Sequence, residues 1–174
     1  MTCPSETSVV RQAATFYISS LLARAQFVSP KMMRCMLAQM AEWCHLYVAA
    51  HEETSGCDVK SHAVFYAVCQ GLFYVVAFRH ADLVNSAKGL LWTQSLGLAK
   101  LVTSRLNPLK PCLPAVAQNF ASVTRTYQIA YCFTVKFACK PISCLLIFKI
   151  KCFRSWRGMQ GIISPSLTNL ARRW

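Results

Sequence analysis

From Ala63 to Phe78 the chain runs for sixteen residues in which Gln70 is the one strong polar interruption. A helix over this stretch is apolar on nearly every side, so it has to be covered on several of them. It falls short of the about 20 apolar residues that cross a bilayer, and His62 and Arg79-His80 mark its ends. The run therefore predicts a central helix wrapped by neighbours, which the rest of the chain must supply.

Apolar residues recur at helical spacing through most of the sequence up to Val135. Val10, Ala14, Tyr17, Leu21, Ala25 and Val28 form one stripe, and Met33, Met36 or Leu37, Met40, Cys44 and Tyr47 a second. Val116, Phe120, Val123, Tyr127 and Ala130 form a third. Steps of three and four are the signature of amphipathic helices that bury one face.

The breaks have local causes. Ser29-Pro30 offers a capping hydroxyl and a proline preset for a first turn. Thr54-Ser55-Gly56-Cys57-Asp58 is a polar interruption, Asn85-Ser86 can cap the next helix, and Pro108, Pro111 and Pro114 force an extended connection. Helices are expected at 8–28, 30–50, 61–83, 87–105 and 114–133. Starts near 8, 61 and 114 lie about 53 residues apart with two helices in each interval, in the class of helical-hairpin repeats of about 40–47 residues. The fold class is all-α: a HEAT-like helical-repeat solenoid fragment of about five helices, with an irregular basic C-terminal tail. The domains are 8–135, the repeats, and 136–174, a divergent basic tail expected to be poorly ordered.

Charged residues make up 14% of the chain and hydrophobic ones 55%, against about 25% charged in ordinary soluble domains. Such a surface is either covered by something else or belongs to a piece of a larger fold, and the second reading is preferred. The net charge of +13 is uneven. Eleven Lys and Arg face six acids over 1–135, whereas 136–174 carries eight Lys and Arg and no acid. The ten cysteines include no C-x-x-C pair, and Cys35, Cys44, Cys69 and Cys132 fall inside apolar helical patterns. No secretory leader is read in Met1–Glu6, so free, buried thiols in a reducing compartment are expected.

Catalytic constellations are missing. Glu52-Glu53 are the only adjacent acids, and they sit in an expected loop. His45, His51, His62 and His80 do not form the i,i+4 zinc pair of a metalloprotease helix. Cys44-His45 with Cys57 and His62 can be drawn as four ligands, but the spacing matches no finger. There is no phosphate loop and no nucleophile elbow. The expectation is a protein without catalysis, cofactor, metal or small-molecule substrate.

Four segments carry a resemblance. Leu21-Leu22-Ala23-Arg24-Ala25-Gln26-Phe27, Phe65-Tyr66-Ala67-Val68-Cys69-Gln70 and Phe73-Tyr74-Val75-Val76-Ala77-Phe78-Arg79-His80 come in order. The sharpest, Leu106-Asn107-Pro108-Leu109-Lys110-Pro111-Cys112-Leu113-Pro114, completes the set. Over about residues 14–135 the chain resembles the RNA polymerase I-specific transcription initiation factor family, TIF-IA, as a truncated member. The resemblance implies an all-helical HEAT-like solenoid that binds RNA polymerase I and bridges it to the promoter selectivity factor, with its TBP-associated factors, at ribosomal RNA genes. It implies the nucleus and nucleolus, and leaves direct DNA binding open.

Leu22, Ala23, Arg24 and Ala25 resemble a short basic motif of that family which engages the selectivity factor, and they are the partner-binding residues the resemblance implies. The family pattern ends in lysine where this chain has Gln26, which loses one charge. An ordinary helix end with an exposed arginine is the plainer reading of the same residues. Arg11, Arg24, Lys31 and Arg34 would form a basic patch if the first helix pair packs as expected. Lys110 projects from the proline-stiffened run. The competing readings are a small membrane-associated protein using 63–78 and the basic tail, and an inert truncated product.

Overall fold

Ala63–Phe78 does form the helix around which the others gather. The computed structural model describes residues 7–51 and 61–130, all within one unit, Met1–Lys140. Seven helices lie there, with no strand among the described residues: α1 (Ser8–Arg24), α2 (Pro30–His51), α3 (Ala63–Phe78), α4 (His80–Leu83), α5 (Ala87–Ser95), α6 (Leu98–Thr103) and α7 (Pro114–Thr126). The tail 136–174, the polar interruption Thr54–Asp58, Glu52-Glu53 and Cys132 lie outside the described residues.

Helix α3 is packed by α1, α2 and α7. Ten of its sixteen residues are buried, from Phe65 to Val76, which meets the burial demand of its sequence. No helix among the described residues is long and apolar enough to cross a membrane. The second stripe faces the core as expected, with Met33, Leu37, Met40 and Cys44 buried along α2. The third centres on Phe120, whose ring lies 4.3 Å from that of Phe73, while Ala117, Ala121 and Thr124 complete the buried face of α7.

The first stripe is a correction. Val10, Tyr17 and Leu21 are exposed, and so is Ala14. The buried face of α1 is instead Gln12, Phe16, Ser19, Leu22 and Ala23. The reason is a close crossing with α3. Gly71 has no side chain, and a Cβ there would run into Ser19 Oγ and come within 3.3 Å of Ser19 Cβ and 3.4 Å of Met40 Cε. Two small residues let the backbones approach, and that outweighs the larger apolar area on the opposite side.

Two expected helices divide. The stretch 61–83 breaks at Arg79, where Nδ1 of His80 donates to the carbonyl of Ala77 at 2.9 Å and so takes the acceptor a continuing helix would use. The stretch 87–105 breaks at Gly97, whose φ of 65° is the left-handed conformation that glycine enters without steric cost. The ring of His45 fills the space where a Cβ would stand, and its Nε2 lies 2.9 Å from the carbonyl of Leu96.

Helix ends also differ. Helix α1 stops at Arg24, four residues earlier than expected, and Val28 turns into the core from the connection to α2. Helix α7 stops at Thr126 in a Schellman turn, with Ile129 N donating to Thr124 O and Gln128 N to Arg125 O. Gln128 occupies the left-handed position at φ 53°. The expected caps are present: Ser29 Oγ accepts from Met32 N at 3.2 Å, Ser86 Oγ from Gly89 N at 3.1 Å, and Pro114 stands in the first turn of α7.

Candidate functional site

The stretch Leu22–Ala25 closes α1, and its four residues have different fates. Leu22 and Ala23 are 3% and 1% exposed and belong to the core against α3. Arg24 is exposed and Ala25 half-buried. Two of the four thus seat the helix end, and the surface that a partner can touch is Arg24 with Ala25 beside it. A cation in the last turn is favoured by the partial negative charge of the helix C-terminus.

Arg24 is held in place. Its Nε donates to the hydroxyl of Tyr74 on α3 at 3.2 Å, which leaves the other guanidinium N–H groups, four of the five donors, to meet an incoming carboxylate. Apolar side chains surround this end of the molecule in sequence and space. Leu21 and Phe27 flank Arg24 in the chain and are exposed, Phe27 to 81%. Phe78 is exposed with its ring 5.9 Å from that of Tyr74. Sequence reasoning missed Tyr74 and Phe78 as surface groups because they read as part of the apolar run. The Tyr74 hydroxyl was the available signal, since a phenol in such a helix needs a partner.

The basic patch does not assemble as one feature. The Arg34 guanidinium lies 5.5 Å from the centroid of the Trp92 ring on α5. Arg11 is close enough to Tyr47 of α2 to hold its phenol pKa down against the larger upward push of burial. Arg24 is bound to Tyr74, and Lys31 is exposed in the first turn of α2. Each cation answers to a different neighbour.

The four drawn metal ligands also diverge. Cys44 lies 3.6 Å from Cys69 in the core, His45 is bound at Leu96, and Nδ1 of His62 is 2.8 Å from the Tyr47 hydroxyl. Cys57 is outside the described residues. Cys44, Cys69 and Cys112 are buried and in no disulfide, whereas Cys35, also in no disulfide, is exposed, contrary to its place in the apolar pattern. Burial, and then the contact with Cys44, push the Cys69 thiol well above its ordinary pKa.

The run Leu106–Pro114 is strapped to α3. The Tyr66 hydroxyl donates to Leu106 O at 3.0 Å, and Gln70 Oε1 accepts from Leu113 N at 2.9 Å. Leu106, Leu109 and Cys112 are buried beneath it. Asn107 takes a φ of 39°, a conformation asparagine tolerates, and Lys110 is exposed. The single polar interruption of α3 is therefore the anchor of the proline-rich connection.

Comparison with known proteins places this geometry in a family. The family described as RNA polymerase I specific transcription initiation factor RRN3 matches residues 1–143, so it takes in 1–13 and 136–143 beyond the 14–135 expected from the four segments. The chain is 41% identical over 136 residues to the RNA polymerase I-specific transcription initiation factor RRN3 of Mus musculus, covering 76% of this chain and 21% of that protein. It is 30% identical over 141 residues to rrn3 of Schizosaccharomyces pombe, covering 76% of this chain and 24% of that protein. The chain thus spans about a quarter or less of the length of these relatives. A crystal structure of RNA polymerase I transcription initiation factor Rrn3 superposes with a TM-score of 0.66 at 24% identity, covering 88% of this chain and 30% of that one. That likeness shows the fold, a helical repeat.

Proposed function

Because the chain belongs to the family of the RNA polymerase I specific transcription initiation factor RRN3, we propose that it acts in initiation by RNA polymerase I. It binds the polymerase and bridges it to the promoter-bound selectivity factor at ribosomal RNA genes, in the nucleus and its nucleolus. The observation that carries this reading is the match over residues 1–143, supported by 41% identity to the mouse factor.

The work is complementarity between a rigid helical surface and large partners. Leu22 and Ala23 anchor the end of α1 on α3, and Arg24 is presented beside Tyr74 as the group that pairs with a carboxylate of the selectivity factor. A guanidinium preset by one hydrogen bond loses less freedom on forming the next ones. Gln26 in place of the family's lysine concentrates the electrostatics of this contact on Arg24.

The test is co-purification of the tagged chain, expressed at its natural level, with RNA polymerase I or the selectivity factor, with Arg24→Glu beside it. Capture that is lost in the variant supports both the role and the surface. Capture that persists keeps the role and moves the contact elsewhere. A folded chain that captures neither protein overturns the reading and leaves an inert product.

A further inference from the structure

We draw no further inference here: the strongest candidate, the pair of thiols that α2 and α3 bring together in the core at Cys44 and Cys69, is fully buried with the Cys69 pKa pushed up, so it has neither the thiolate nor the access that redox or ligand chemistry needs.

Discussion

Replacing Gly71 by alanine pits two effects of known size against each other. In an unconstrained helix interior the change is worth about 1 kcal/mol in favour of alanine. Here the new Cβ collides with Ser19 Oγ and stands within 3.3 Å of Ser19 Cβ and 3.4 Å of Met40 Cε. Ser19 is 1% exposed and its hydroxyl is bound to Thr15 O at 2.8 Å, so moving it aside has a cost. Either that hydrogen bond breaks, at about 1 kcal/mol, or α1 moves off α3, and overpacking of a tight core costs about 1–3 kcal/mol. The net expectation is destabilisation of up to about 2 kcal/mol, or up to several degrees in Tm for a domain of this size. The assay is urea and thermal denaturation of the full chain, followed by far-ultraviolet circular dichroism. The decisive comparison is the same change in a Ser19→Gly background. There the obstruction is gone, and Gly71→Ala should stabilise. The packing argument is refuted if alanine stabilises the wild-type chain, or if its effect is the same in both backgrounds.

Buried polar groups give two further outcomes. Gln70→Leu removes the acceptor for Leu113 N and leaves a shielded donor, so stability falls by about 1–3 kcal/mol. Urea midpoints of the variant and the wild-type chain measure the loss. Among the four described cysteines, labelling with iodoacetamide in the native state modifies Cys35 first and Cys69 last. Exposure and the raised Cys69 pKa both act in that direction, since the thiolate is the nucleophile. Because the folded-state pKa of Cys69 is raised, its contribution to stability is complete below the ordinary thiol pKa and is lost as pH rises above it. Unfolding midpoints should therefore decline above about pH 8.5, and less steeply in Cys69→Ala.

The central helix was legible because burial demand is a property of sequence: a sixteen-residue run with one strong polar interruption cannot face water, and the structure wraps it with α1, α2 and α7. The caps at Ser29, Ser86 and Pro114 were legible because they depend on neighbours two or three residues away. The buried face of α1 was not. Periodicity ranked Val10, Ala14, Tyr17 and Leu21 above a face bearing Gln12 and Ser19. The choice was made by a contact 52 residues distant, where Gly71 admits Ser19. The break at Gly97 was hidden for the same reason, since the ring of His45 that fits against it comes from another helix, whereas the break at Arg79 rests on a local bond from His80 to Ala77 O that apolar periodicity does not register. At the candidate site the sequence picked out a four-residue stretch, but only packing separates the two residues that seat the helix from the arginine that is presented.

The sharpest sequence signature and the candidate contact are different places with a common support. Leu106–Pro114 is recognisable because its three prolines fix an extended path that must meet Tyr66 and Gln70 with Leu109 beneath it, and those demands constrain the sequence tightly without requiring any partner. Arg24 is constrained less, since its own surroundings are mostly water. Both depend on α3. Tyr74, which holds Arg24, stands one turn beyond Gly71, which seats Ser19, and Gln70 stands beside that glycine in the chain. A shift of α1 away from α3 at Ser19 therefore moves the arginine relative to the phenol that orients it, while the proline strap stays attached. The fold can thus survive a change that misplaces the contact, and loss of partner capture in a Gly71 variant would speak of position before it spoke of stability.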